Sequence, residues 1–137
     1  MTPAPSVSTV RFRRDMGSGV PAYRQVIDQI LGGIASGALS PGDQLPTVRQ
    51  LAVDLAINPN TVVRAYRELE IRGVLTTQQG IGTFITRQSV KPDEVERQRQ
   101  LTQLVAEFMS RAGAAGFTAE EVVNRIQEFV SEARRTS

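Results

Sequence analysis

Two short helical patterns only three residues apart, followed at once by two β-prone stretches around a pair of glycines, predict a mainly α chain with a small β-hairpin. That order is a winged helix-turn-helix. Two further amphipathic patterns fill the rest of the chain and predict a two-helix C-terminal module with wide apolar faces. The boundaries fall at an N-terminal arm over 1–18, the winged helix-turn-helix over 19–88 and the helical module over 89–137.

Residues 1–18 hold Pro3, Pro5, several Ser and Thr, and Arg11, Arg13 and Arg14, without a helical period. They read as a flexible arm, its arginines either a solvated tail or phosphate contacts. Over residues 21–36, Tyr23, Val26, Ile27, Ile30, Leu31 and Ile34 recur three or four positions apart, the stripe of a first helix. Gly37 stops it and Ser40-Pro41-Gly42 turns the chain. After Pro46, Thr47 and Gln50 have the spacing of a capping box, and Val48, Leu51, Ala52 and Leu55 line one face of a second helix.

The third helix begins at Asn58-Pro59, a good cap followed by a residue that needs no hydrogen-bond donor there. Val62, Ala65, Tyr66 and Leu69 form its buried stripe, Tyr66 belonging to the core, and Gly73 ends it. Residues 74–78 and 83–86 are β-prone and flank Gln79-Gly80-Ile81-Gly82, where glycine permits a tight hairpin. Residues 88–93 read as a linker punctuated by Pro92. Beyond it, Asp93 and Glu96 form a capping pair for a helix carrying Leu101, Leu104, Val105, Phe108 and Met109, broken over residues 112–116. The last helix opens on Thr118 and Glu121, with Phe117 stapled to Val122, and its apolar face holds Val122, Val123, Ile126, Phe129, Val130 and Ala133.

Composition narrows the function. Cysteine and histidine are absent, which removes disulfides, thiolate metal sites, the usual general base and the commonest metal ligand. No paired carboxylates or phosphate-binding glycine loop replace them, so the chain does not read as an enzyme and no cofactor is expected. It has neither a membrane-length apolar run nor a secretion signal, and a cytoplasmic location is the expectation. Residues 1–87 carry nine Arg against six acidic residues, while residues 88–137 carry seven basic against eight acidic. Positive charge therefore goes with the winged helix-turn-helix, and fifteen of the sixteen basic residues are Arg, whose planar fork suits phosphate and guanine.

With its apolar stripe inward, the third helix turns Asn60, Thr61 and Arg64 outward at its leading end. Asn can bond adenine through two contacts, Arg can fork onto guanine, and Thr can reach a phosphate or a thymine methyl. Arg49 begins the second helix, where it either meets DNA or makes a surface salt bridge. Gln79, Gly80 and Gly82 form the wing tip, which can reach the minor groove or flanking phosphates through Gln79 and backbone N–H groups. Asn58, which caps the helix that enters the groove, is a further expected DNA contact.

Leu45-Pro46-Thr47-Val48-Arg49-Gln50-Leu51-Ala52, then Asn58-Pro59-Asn60-Thr61-Val62-Val63-Arg64-Ala65-Tyr66-Arg67-Glu68-Leu69, resembles the GntR family of bacterial transcription regulators. Pro21-Ala22-Tyr23-Arg24-Gln25-Val26 is similar to the start of that family's first helix, and Gly80-Ile81-Gly82-Thr83-Phe84 to its wing. The Asn-Pro-Asn-Thr turn and the short tail resemble its YtrA-like subfamily. Where many members have Arg just after the turn, this chain has Pro59. The resemblance implies a DNA-binding regulator, a repressor, with Arg49, Asn60, Thr61, Arg64 and the wing glycines at the DNA.

Most relatives of this kind carry a large effector domain, but two helices cannot enclose a ligand-sized pocket. Any effector would be a small molecule of unidentified chemistry. The expected use of the tail is dimerisation, with Leu101, Leu104, Val105, Phe108, Val122, Ile126 and Phe129 at the interface of a homodimer. The alternative is packing back on the chain's own winged helix. The overall expectation is a homodimeric regulator reading an inverted-repeat operator in double-stranded DNA. Against it stand a winged helix used for protein contacts or non-specific DNA binding, and the leading module of an aminotransferase-like fusion.

Overall fold

The computed structural model describes residues 11–87 and 93–136. In order these form α1 (Ala22–Ser36), α2 (Val48–Leu55), α3 (Pro59–Ile71), β1 (Leu75–Gln78), β2 (Gly82–Ile85), α4 (Glu94–Ala114) and α5 (Ala119–Thr136). The expected linker, apart from Asp93, and the boundary at residue 88 lie outside the described residues, as does the first part of the arm.

A first unit holds α1 to β2. Its core joins Val26, Ile27 and Ile30 of α1, Leu51, Ala52 and Leu55 of α2, and Val62, Ala65, Tyr66 and Leu69 of α3. Leu39 and Leu45 from the connection, with Leu75 and Ile85 from the strands, complete it. Each such Leu, Ile or Val contributes about 1.5–3 kcal/mol by leaving water, and that burial sets how α3 projects. The local start and stop signals act as their chemistry dictates. Gly37 takes a left-handed φ of 87° to end α1, and the Thr47 side chain accepts the Gln50 N–H at 3.1 Å to begin α2. The turn between α2 and α3 passes through Ala56 at φ 53°, a left-handed conformation held by a non-glycine residue.

The strands pair antiparallel, Leu75 opposite Ile85 and Gln78 opposite Gly82; β1 starts one residue later than the expected stretch, and β2 lies one residue earlier than expected at both ends. A third backbone segment, unforeseen from the sequence, lies along the free edge of β2. The Leu45 N–H donates to the Thr83 carbonyl and the Ile85 N–H to the Asp43 carbonyl, both at 2.8 Å.

The described part of the arm is not free. Gln29 Oε1 accepts the Arg13 N–H at 2.7 Å while its amide group donates to the Arg13 carbonyl. Gln25 makes the same two bonds with Asp15, at 2.7 and 2.8 Å. The match is geometric: four helical residues advance about 6 Å and two extended residues advance about 6.6 Å. Two glutamines one turn apart therefore register two alternate residues of an extended segment. Phe12 packs against the core, and Arg14 donates to the Ala56 carbonyl at 3.3 Å.

The second unit holds α4 and most of α5. Asp93 caps α4 by accepting the Val95 N–H, but Glu96 does not complete the expected pair. Its carboxylate bonds Arg99 instead, at 2.6 Å, one turn along the helix and away from the cap. Nor does the helix break at Ala112. It continues to Ala114, alanine being the best helix former, and ends before Gly116 at φ 91°. Thr118 caps α5, its hydroxyl accepting the Glu121 N–H at 3.2 Å. Phe117, expected as a staple, stays more than half exposed.

Candidate nucleic-acid interface

Asn58 Oδ1 accepts the Asn60 N–H at 2.8 Å, and Pro59 occupies the first turn of α3, so the start of that helix is fixed by its own sequence. The cap commits the Asn58 carbonyl and leaves its amide group as the part able to donate. Neither α2 nor α3 has an acidic residue in its first turn, whereas α4 opens with Glu94 and Glu96 and α5 with Glu120 and Glu121. The partial positive charge at the starts of α2 and α3 is thus left uncompensated, which suits a phosphate.

With Val62, Ala65, Tyr66 and Leu69 buried, Asn60 and Arg64 lie exposed on the opposite side of α3. Thr61 departs from the expectation: it is half-buried at the flank of this face, because one residue turns the helix by about 100°. Arg67 takes the place expected of Thr61. It is exposed, one turn beyond Arg64 and two beyond Asn60, and that spacing is a signal present in the sequence. Arg49 is exposed near the start of α2. Among the described residues, Arg49 and Arg67 make no ion pair. Arg64 is held differently, its guanidinium carbon 3.7 Å over the centre of the Tyr23 ring on α1.

Tyr66 is buried, as its apolar spacing implies, and its hydroxyl donates to the Pro46 carbonyl at 2.8 Å. Burial pushes its phenol above the ordinary range. At the wing, Gln79 and Gly80 are exposed and Gly82 is half-buried. A Cβ on Gly82 would come within 2.5 Å of Gln44 Nε2, which donates to the Ile81 carbonyl at 3.2 Å. Gln44 therefore fixes the wing tip, a role no local pattern announces.

In the second unit, Leu101, Leu104, Val105 and Phe108 of α4 and Ile126 and Phe129 of α5 are each more than half exposed, Phe108 at 56% and Phe129 at 59%. Val122 is half-buried, and Val95 and Val123 are additional exposed apolar residues. Among the described residues, no helix is long and apolar enough to cross a membrane, and no acidic cluster suits a metal ion.

Residues 22–85 match the family described as bacterial regulatory proteins, gntR family. The chain is 37% identical over 121 residues to the HTH-type transcriptional repressor YtrA of Bacillus subtilis (strain 168), covering 88% of this chain and 92% of that one. Its structure is similar to that of a transcriptional antiterminator from Listeria monocytogenes EGD-e, with a TM-score of 0.65 at 28% identity over 92% of this chain and 94% of the other. It is also similar to AraR(DBD) in complex with operator ORX1, with a TM-score of 0.50 at 28% identity, over 54% of this chain and 94% of the other.

Proposed function

Because the chain belongs to the gntR family of bacterial regulatory proteins, as a YtrA-like transcription regulator with a DNA-binding domain and not an enzyme, we propose that it represses transcription in the cytoplasm by binding an inverted-repeat operator as a homodimer. The observation that carries this reading is the outer face of α3. Asn60, Arg64 and Arg67 line it, the helix start carries no acid, and both α2 and β1 pack against α3.

In this reading α3 enters the major groove from its N-terminus, where Asn60 and Arg64 meet base edges. Arg49, the Asn58 amide, Thr61 and Arg67 bond phosphates, and Gln79, Gly80 and Gly82 bring the wing backbone to the flanking strand. The apolar stripes of α4 and α5 then pair with those of a second copy, removing Phe108 and Phe129 from water. Two-fold symmetry would hold two α3 helices about one DNA turn, ~34 Å, or a multiple apart. Binding by such a dimer over a promoter excludes polymerase, and the relative named as a repressor supports that direction.

Selection of bound duplexes from randomised DNA tests the proposal. It should return one inverted repeat with half-sites separated by whole helical turns. Recovery of DNA with no shared sequence would leave only a non-specific binder.

A further inference from the structure

Arg64 is placed unusually for an exposed arginine on a helix. Glu68 stands one turn along α3, where it could pair with Arg64, but its carboxylate is bound to Arg72 at 2.9 Å. Asp28, on the facing helix α1, is bound to Arg24 at 3.3 Å. Among the described residues Arg64 has no ion pair, and its contact is the face of Tyr23, 3.7 Å away. At that separation the guanidinium lies against the ring, because turning its edge inward would drive a nitrogen into the π face. Its face is therefore covered, and among the described residues its in-plane N–H donors make no hydrogen bond.

We infer that Tyr23 is a positioning residue for base readout: its ring holds the Arg64 guanidinium in one plane, with the two-donor edge free for guanine. The inference rests on the reading of Arg64 as a base contact. An unrestrained arginine loses much of its rotamer freedom when it docks, whereas a stacked one has already lost it. The ring is itself anchored, since Tyr23 packs partly against the core. Asp28 and Glu68 support the arrangement by being occupied elsewhere, for a carboxylate on Arg64 would compete with the base for the same donors.

The test compares the intact protein with Tyr23→Phe, Tyr23→Leu, Arg64→Ala and the Leu/Ala double variant on duplexes from the random selection, changed one base pair at a time. Tyr23→Phe keeps the ring and should bind like the parent. Tyr23→Leu should weaken preference ~3- to 10-fold at the same base pair that Arg64→Ala relaxes, the strength expected of one such stack, with no change elsewhere. In the absence of Arg64, Tyr23→Leu should have no further effect. Tyr23→Met fills the core side without a π face and should repeat the Leu result, and thermal melts check that each variant is folded.

The inference is overturned if Tyr23→Leu lowers affinity equally for all sequences, if its effect adds to that of Arg64→Ala, or if Tyr23→Phe is as damaging as Tyr23→Leu, which would assign the effect to the hydroxyl. Arg64→Ala leaving every base preference intact would instead remove the base contact itself, a result separable from a relaxed base pair that Tyr23→Leu does not touch.

Discussion

The Tyr66 hydroxyl donates to the Pro46 carbonyl at 2.8 Å, tying the middle of α3 to the residue just before the cap of α2. The bond spans the helix-turn-helix from inside and fixes the angle at which the outer face of α3 projects. Tyr66→Phe keeps the packing but leaves that carbonyl without its partner. It should cost about 1 kcal/mol, or a melting temperature lower by ~4–8 °C for a domain of this size. The phenol also makes stability pH-dependent. Its pKa is raised above the ordinary 10.0, so the folded state holds the proton more tightly than the unfolded chain. Stability from this group is whole below about pH 10 and is lost as pH rises further, and denaturation titrations should show a shallower alkaline decline in Tyr66→Phe than in the parent.

Ala56 carries the turn at φ 53°, where a Cβ crowds the backbone and glycine would not. Ala56→Gly should therefore stabilise the first unit by up to about 1 kcal/mol, since relief of native strain outweighs the added freedom of the unfolded chain. Equal or lower melting temperature in the variant would mean that Arg14 and the flanking caps already compensate the strain.

The two outward arginines of α3 should fail in different ways. Arg64→Ala is expected to cost ~1–3 kcal/mol and to relax preference at one base pair per half-site. Arg67→Ala should weaken binding about equally for all sequences and make the salt slope shallower by about 1 for each phosphate left without its arginine. Binding isotherms over a range of salt on matched and single-mismatch duplexes separate the two.

What is legible in the sequence is local. Thr47, Asn58 and Thr118 cap helices through residues two or three positions away, so their patterns lie intact in the chain, and the stripe of Val62, Ala65, Tyr66 and Leu69 orients α3 correctly. What is not legible depends on partners far apart. The Tyr23–Arg64 stack, the Gln44 bond to the wing and the anchoring of Arg13 and Asp15 by Gln29 and Gln25 leave no short-range signature. Glu96 shows the competition within a local pattern: two partners lie within reach of one carboxylate, and the cationic one wins. Thr61 differs from its expected place for a simpler reason, since one step around a helix moves a side chain from its outer face to its flank.

That two copies read one operator together is tested most directly by the operator affinity of the full chain carrying Phe129→Asp, measured with its sedimentation. Phe129 is 59% exposed, so the substitution spares the fold of the chain but would set a charge in the proposed apolar interface. The variant should be a folded monomer whose affinity for the full inverted repeat falls by ~10²-fold or more, because each half-site must then be found without the gain in effective concentration that linkage supplies. A folded Phe129→Asp monomer that binds the full operator as tightly as the parent would contradict it.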